Sequence, residues 1–280
     1  MHDAHDHLSL NGSLVAADTA GLSVLDHGFT VGDGVFETMK VTAREPFAMA
    51  RHLRRLRRSA HGLGIEVGVD DDELRARATE VLAANDVVVG RLRITVTSGV
   101  APLGSGRGGS PATIVLATAD LPVNAPSTDV VTVPWTRNER AATAGLKTTS
   151  YADNVIALAR ANAEGCSEAL LANTAGMLCE GTGSNVFVVA DGVLVTPPLR
   201  SGCLAGITRE LVLEAVPRIV EADLPFAELD SVSEAFLTSS TRDVQAIGSI
   251  DGRPLTTVGG PATRAAADAF AALAAAASDP

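Results

Sequence analysis

The sequence predicts an α/β protein of two domains in which strands and helices are mixed along the chain. Its 280 residues, 46 % of them hydrophobic, are enough for one or two cores. Segments with strand periodicity and segments with helical periodicity follow one another over the whole length. Residues 121–129 hold two prolines among small polar residues, which is typical of a linker. We therefore expect a small N-terminal domain over 1–120 and a larger domain over 130–280.

The first domain is expected to hold strands at both ends and two helices between them. The Asn11-Gly12 pair between alternating apolar and polar residues is typical of a hairpin, and the aspartates at 70–72 are typical of a helix start. The expected elements are a hairpin over 8–16, a strand over 34–41, a helix over 51–62, a helix after 70–72 that ends near Asn85, and strands over 90–99 and 112–120.

The second domain is expected to alternate strands and helices and to end in a helix. Gly206 precedes an apolar-periodic segment, and the alanine-rich C-terminal segment is a good helix former. The expected elements are strands over 130–135, 168–173, 185–190 and 193–196, and helices over about 151–164, from 206 onward and over about 261–277.

Composition and charge exclude several classes of protein. A formal net charge of −11 and a pI of about 5.0 argue against nonspecific nucleic-acid binding. No apolar run approaches the roughly 18 residues of a membrane span, and the start of the chain lacks the pattern of a secretory signal. The three cysteines, at 166, 179 and 203, form no CxxC pair. These observations predict a cytoplasmic protein with no membrane or nucleic-acid partner.

Lysine is rare in this chain: of its 22 basic residues only Lys40 and Lys147 are lysines. Unlike a guanidinium, an amine can lose its proton, attack a carbonyl and form a Schiff base. Lys147 precedes an apolar helix pattern, is followed by three hydroxyl residues, and lies four residues before Tyr151, the one tyrosine. A solvated surface lysine is the ordinary alternative, but these neighbours favour a reactive amine.

A lysine that forms a Schiff base with pyridoxal phosphate needs an acid facing the pyridinium nitrogen and a site for the phosphate. Glu180 lies between an apolar strand and a turn of small residues, where a carboxylate could take the first role. Gly206, Ile207 and Thr208 open a helix whose N–H groups and dipole suit a phosphate, and Arg55 could supply a cation. Taken singly, these are also typical of a loop glutamate, an ordinary capped helix and a solvated arginine face.

Five segments in order resemble the class IV aminotransferase family of fold-type IV pyridoxal-phosphate enzymes. They are "DHGFTVGDGVFETMKV" (26–41), "HLRRL" (52–56), "LKTTSYADNVIALARA" (146–161), "EALLANTAGMLCEGTGSNVFVV" (168–189) and "TPPLRSGCLAGITRELVLE" (196–214). The resemblance implies a small N-terminal α/β domain and a larger domain with a mixed sheet or barrel. It also implies a pyridoxal 5′-phosphate cofactor held between the domains, and a homodimer.

By the same resemblance, Lys147 is the Schiff-base lysine and general base, and Glu180 is the partner of the pyridine nitrogen. The other implied cofactor contacts are Arg55, Gly206, Ile207 and Thr208 at the phosphate, Ser239 and Ser240 as a further phosphate contact, Leu204 against the ring, and Tyr151 beside the 3′ oxygen.

Details of the motifs indicate which member of the family the chain resembles. Branched-chain enzymes have "FEGIR" where this chain has "FETMK" (36–40), and D-alanine enzymes have an arginine after Val-Thr where this chain has Ser98. The 4-amino-4-deoxychorismate lyases often have Phe-x-Thr, as in Phe36 and Thr38 here, and a glycine-rich loop with an arginine, as in "GSGRGG" with Arg107.

The resemblance therefore implies a lyase that eliminates pyruvate from 4-amino-4-deoxychorismate to give 4-aminobenzoate, a folate precursor. Thr38 would orient the leaving side or relay a proton, and Arg107 would hold a carboxylate. Phe36 and Ser98 are further expected substrate contacts. D-amino acid aminotransferase activity is the alternative, because Lys40 is shared with those enzymes, and branched-chain activity is a weaker one.

Overall fold

The computed structural model describes residues 4–280, and the chain divides into two compact units. The first unit takes the chain up to Pro122 together with Leu146–Tyr151 and Ser278–Pro280. The second takes Val123–Gly145 and Ala152–Ala277. Among the described residues, no helix is both long and apolar enough to cross a bilayer.

The first unit is an antiparallel sheet with helices. Its strands are β1 (Ala4–Leu10), β2 (Ser13–Ala16), β3 (Gly34–Thr42), β4 (Glu45–Pro46), β5 (Gly90–Thr97) and β6 (Thr113–Ala119), and its helices are α1 (His27–Thr30), α2 (Met49–Leu63) and α3 (Asp71–Ala84). The sheet order is β2-β1-β6-β5-β3-β4. The two expected helices and the expected hairpin are confirmed; Asn11 and Gly12 both take positive φ, as a tight hairpin turn requires.

One face of this sheet forms the core with α2 and α3. Along β3, Val35, Met39 and Val41 point to that core, in which the two helices also bury apolar side chains. Because successive strand residues point to opposite faces, Phe36 and Thr38 point to the other face. That second face is where the sequence places substrate contacts.

The second unit is a mixed sheet with three helices. Its strands are β7 (Ser127–Arg137), β8 (Glu168–Asn173), β9 (Leu178–Gly181), β10 (Asn185–Ala190), β11 (Val193–Thr196), β12 (Val220–Glu221), β13 (Glu234–Ser239), β14 (Asp243–Ile250) and β15 (Arg253–Pro254), and its helices are α4 (Ala152–Ala163), α5 (Ile207–Ala215) and α6 (Pro261–Ala276). The sheet order is β12-β11-β10-β13-β14-β7-β8-β9, and β15 pairs with β14. Parallel pairs (β14 with β7, β7 with β8) occur beside antiparallel ones. The expected mixed α/β architecture is confirmed.

Two segments differ from the expected domain limits. β7 begins at Ser127, inside the expected linker, because Ser127 and Thr128 pair in parallel with β14. Leu146–Tyr151, which the sequence placed in the second domain, belongs to the first unit. Both differences arise from pairing between distant segments, which local periodicity does not reveal.

Candidate active site

The backbone of Lys147 is fixed between β3 and α2. The Phe36 N–H donates to the Lys147 carbonyl (3.1 Å), and the Thr149 N–H donates to the Gly34 carbonyl (2.8 Å). On the other side, the Lys147 N–H donates to the Ser59 hydroxyl of α2 (3.1 Å). Three hydrogen bonds to a strand and a helix therefore hold the backbone from which the Lys147 side chain extends.

The side chain of Lys147 lies against a buried aromatic ring. Its Nζ is 4.3 Å from the centroid of the Phe36 ring, a cation–π distance. Tyr151 packs edge-on against the same ring, with centroids 5.3 Å apart. The structure thus brings together Lys147, Phe36 and Tyr151, which the sequence had singled out separately.

The same sheet face carries cations that the sequence analysis missed. The Arg93 guanidinium carbon is 3.8 Å from the Phe36 ring centroid, and burial lowers the Arg93 pKa. Arg93 is the cross-strand partner of Thr38, and Lys40 is directly opposite Arg91. Like charges opposite each other cost stability, so this face is suited to an anionic ligand. The sequence "RLR" in β5 could have revealed these arginines, because residues two apart on a strand point to the same face.

Arg55 is buried on α2 and bound to a carboxylate of β3. Its Nε and one NH2 group donate to the two Glu37 oxygens at 2.7 and 2.6 Å. The Nδ1 of His52 is 2.7 Å from the same carboxylate. Although burial opposes it, the guanidinium of Arg55 holds the Glu37 pKa down at about 2. The sequence analysis identified Arg55 but not Glu37.

The remaining two expected substrate contacts, Ser98 and Arg107, meet at Asp33. Arg107 donates to both Asp33 oxygens (2.6 and 2.7 Å), and the Ser98 hydroxyl donates to one of them (2.7 Å). The hydrogen bonds of Arg107 lower the Asp33 pKa to about 2. Arg107 also donates to the Gly64 carbonyl (3.1 Å). The contact of these two residues with substrate stays a prediction, since both are engaged by an internal carboxylate.

In the second unit, Glu180 is held at the end of β9. Its Oε2 accepts the Leu204 N–H (2.9 Å), and its Oε1 is 3.0 Å from Nε of Arg137. Arg137 in turn donates to Asn154 of α4 (3.2 Å). The Arg137 cation and the Leu204 N–H donor favour the ionised form of the Glu180 carboxylate. That form can accept a hydrogen bond from a protonated ring nitrogen. Arg137 was not anticipated because it lies outside the five quoted segments, and Asn154 was not singled out although it lies in the segment 146–161.

A second buried glutamate shapes the turn that follows Glu180. Glu168 accepts the Thr182 N–H (2.8 Å) and the Ser184 hydroxyl (2.8 Å), and it also accepts the Thr182 hydroxyl. These bonds fix the backbone of the "GTGS" turn between β9 and β10. A glutamate in an apolar strand was the one signal of this role in the sequence.

The start of α5 fits a phosphate. Gly206 is the N-cap and makes no side-chain cap bond, so the first helical N–H groups are not satisfied by a capping side chain. A Cβ at Gly206 would lie 2.0 Å from the Asn185 amide oxygen, so a larger residue there would displace the Asn185 side chain. Thr208 is 3 % exposed. Asn185 also donates to the Leu204 carbonyl (2.8 Å), which joins this helix start to the Glu180 contact.

The end of β13 adds hydroxyl groups. Thr238 lies directly across from Asn185, and its buried hydroxyl has no hydrogen-bond partner among the described residues. The Ser239 hydroxyl accepts the Arg242 N–H (3.2 Å), and Ser240 follows at the turn. A buried hydroxyl without a partner, on the strand residue opposite Asn185, could donate to a phosphate at the start of α5.

The family model for class IV amino-transferases matches residues 34–250. The chain is 33 % identical over 256 residues to the "Putative branched-chain-amino-acid aminotransferase" of Methanocaldococcus jannaschii, covering 87 % of this chain and 88 % of that protein. It is 29 % identical over 252 residues to the D-alanine aminotransferase of Bacillus licheniformis, covering 88 % of each.

A solved structure agrees with these matches. The T.th. branched-chain amino acid aminotransferase complexed with N-(5′-phosphopyridoxyl)-L-glutamate superposes with a TM-score of 0.87 at 26 % identity, covering 95 % of this chain and 93 % of that chain. The donor set at α5 and the carboxylate of Glu180 fit the two ends of the pyridoxal 5′-phosphate that the family uses. This chain belongs to the class IV aminotransferase family, and its cofactor is pyridoxal 5′-phosphate.

Proposed function

We propose that the chain is a 4-amino-4-deoxychorismate lyase that forms 4-aminobenzoate and pyruvate, working as a cytoplasmic homodimer on a small amino substrate. The supporting observation is the pair of polar groups beside the amine. The hydroxyl-bearing Thr38 and the guanidinium of Arg93 share the sheet face on which the Phe36 ring contacts Lys147. The substrate carries carboxylates and an ether oxygen that must depart, so it needs a cation and a hydrogen-bond donor near the base.

The proposed cofactor contacts are those that the family resemblance implies. Lys147 would join the cofactor aldehyde and Glu180 would hold a proton on the pyridine nitrogen. The phosphate contacts would be Arg55, Gly206, Ile207, Thr208, Ser239 and Ser240, with Leu204 against the ring and Tyr151 beside the 3′ oxygen.

The chemistry divides between the cofactor and the side chains. When bound, pyridoxal 5′-phosphate supplies an aldehyde for the substrate amine and a ring that accepts electrons from the neighbouring carbon. Lys147 would be the base that removes the proton from the amine-bearing carbon. Glu180 keeps the ring nitrogen protonated and so keeps the ring electron-poor.

Loss of that proton would be followed by cleavage of the bond between the neighbouring carbon and its ether oxygen. The Thr38 hydroxyl donates a hydrogen bond to that oxygen as it departs, and Arg93 holds a substrate carboxylate. The enolpyruvate that leaves takes up a proton to become pyruvate, and the remaining ring becomes aromatic as 4-aminobenzoate. Ser98 and Arg107 donate hydrogen bonds to Asp33, so each would have to bind the substrate in addition to Asp33.

The lyase is tested by feeding 4-amino-4-deoxychorismate and following the fluorescence of 4-aminobenzoate. We expect turnover by the wild type, none by Lys147→Ala, and a fall of about 100-fold in kcat for Thr38→Val, since general acid–base groups contribute at that scale. Thr42→Val is the matched control, because Thr42 is exposed on the same face of β3. Borohydride reduction and peptide mapping should label Lys147; label on another nucleophile would contradict the proposal.

A D-amino acid aminotransferase is the second candidate. The likeness to the D-alanine aminotransferase of Bacillus licheniformis and the position of Lys40 on the cationic face support it. A transaminase would use the same proton abstraction by Lys147 but would then transfer the amine to a keto acid. Transfer from D-alanine to 2-oxoglutarate without release of 4-aminobenzoate would favour this candidate over the lyase. Transfer from leucine instead would favour a branched-chain enzyme.

The homodimer is supported by an exposed apolar patch on the first unit. Val24, Phe29 and Leu103 are 74, 76 and 79 % exposed. Their segments adjoin, because the His27 N–H donates to the Gly99 carbonyl (2.9 Å) and the Ala101 N–H donates to the Leu25 carbonyl (3.2 Å). Contiguous exposed apolar surface marks interaction sites, and a second copy of this chain is the occupant that we propose.

A further inference from the structure

We propose that Glu37 is a positioning residue for cofactor binding, which fixes the Arg55 guanidinium in the orientation that meets the phosphate. The inference rests on the proposed role of Arg55 at the phosphate and extends it to a residue on the core face of β3.

Burying the Glu37 carboxylate costs free energy that a purely structural residue would not require. Its neighbours on the same face, Val35, Met39 and Val41, pack in the apolar core, and Glu37 itself is fully buried. A buried ion pair is weak evidence for stability, because an apolar pair of similar size is often as stable or more so. A carboxylate in this row therefore requires a different explanation.

The bond geometry supplies that explanation. Two of the five guanidinium N–H donors of Arg55, on Nε and on one NH2 group, are committed to the two Glu37 oxygens. A bidentate pair fixes the plane of the guanidinium as well as its distance. Arg55 therefore presents one orientation to its surroundings, and a phosphate meets a cation that needs no reordering.

His52 completes the arrangement without adding charge. Burial lowers the His52 pKa although the hydrogen bond and the charge of Glu37 raise it, which favours the neutral imidazole, and its Nδ1–H donates to the Glu37 carboxylate (2.7 Å). Neighbouring cations, Arg55 and Lys147, act in the same direction as burial. Glu37 thus has one charged and one neutral donor, and the buried pair stays electrically balanced.

The same strand and helix also hold the reactive lysine. Phe36, next to Glu37, donates its N–H to the Lys147 carbonyl, while Ser59, one helical turn after Arg55, accepts the Lys147 N–H. The Glu37–Arg55 pair therefore joins α2 to β3 at the point where both support Lys147. The buried Glu37 carboxylate therefore ties Arg55 to the strand that also holds the Lys147 backbone.

The test compares two ligands that differ only in the phosphate. Dissociation constants of pyridoxal 5′-phosphate and of pyridoxal are measured on the apoprotein by absorbance titration, and their ratio gives the phosphate preference. We expect Glu37→Gln and Arg55→Gln each to lower that preference roughly 10-fold or more, the effect of a lost charge-assisted hydrogen bond. Pyridoxal affinity should change little. The double variant should lose no more than Arg55→Gln alone, because both act through one contact.

Glu234→Gln is the matched control, since Glu234 is a buried carboxylate that caps α6 through Thr263. It should be less stable than the wild type and keep the phosphate preference. Glu37→Asp keeps the buried charge but shortens the carboxylate and so disturbs the bidentate geometry; its phosphate preference is expected to fall and supplies the test if Glu37→Gln alone does not fold. A normal preference in Glu37→Gln with a reduced one in Arg55→Gln would overturn the positioning role and leave the phosphate site intact. A normal preference in Arg55→Gln would overturn the proposed phosphate contact itself.

Discussion

Three arginine–carboxylate pairs among the described residues involve candidate site residues, and each has a different consequence. Arg55 and Glu37 are buried together, Arg137 lies beside Glu180 at the candidate cofactor site, and Arg107 is partly exposed over Asp33. Buried and exposed pairs differ in solvent screening. Of the three carboxylates, Asp33 is therefore the one whose protonation we propose to follow through the pH dependence of stability.

Asp33 should make stability depend on pH in a narrow acidic window. Its pKa falls from 3.8 to about 2 on folding, so its contribution is present above pH 3.8 and is lost as pH falls toward 2. We expect the difference in free energy of unfolding between wild type and Asp33→Asn to shrink between about pH 5 and about pH 2.5. Urea denaturation at each pH measures it, with exposed Asp18→Asn as control. A difference that stays constant across that range would show that Asp33 is not preferentially ionised in the fold.

At the scale of an element, α2 carries most of the support for the site in the first unit. It bears His52, Arg55 and Ser59 on one face, yet its own N-cap, Ala48, has a positive φ and no side-chain cap bond. The cap comes from the C-terminal tail: Asp279 accepts the Ala50 N–H (2.8 Å), and the Ser278 carbonyl accepts the Ala48 N–H (2.7 Å).

Removing this cap should destabilise the protein. Asp279→Ala should lower the free energy of unfolding by about 1 kcal/mol, as loss of a helix cap does, measured by denaturant titration. Asp268→Ala is the control, since Asp268 is an exposed acid on the neighbouring C-terminal helix. Equal stability of Asp279→Ala and wild type would mean that the tail contact contributes nothing in solution.

For the whole molecule, the exposed apolar patch around Phe29 predicts that the chain forms a homodimer. We expect a wild-type mass of twice 28.6 kDa by light scattering, and a shift toward 28.6 kDa for Phe29→Asp, because a charge in a buried apolar interface is costly. Leu14→Asp, at an exposed leucine on β2, should leave the mass unchanged. A monomeric wild type would refute the homodimer.

The sequence predicted the elements that local patterns determine and missed those that distant partners determine. The Asn11-Gly12 hairpin and the Asp70 helix start carry their own turn and cap chemistry. β13 and β14 were not anticipated, although "EAFLTS" and "DVQAIGSI" are largely apolar, because a short buried run has no helix or strand signature of its own. Lys147 and Glu180 could be singled out by the chemistry of their residue types. Glu37, although it lies in the "FETMK" segment, and Arg137 become significant only through the side chains that fold against them.

Neither unit is one continuous stretch of chain. The segment with Lys147 and the last three residues both belong to the unit that the first 122 residues begin. A gene truncated after Pro122 would encode a polypeptide that lacks the Lys147 segment, which hydrogen-bonds to β3, and Asp279, which caps α2. If the protein is expressed as two separate halves, the first half should therefore be incomplete. It should regain Leu146–Tyr151 and Ser278–Pro280 only when the second half is co-expressed with it.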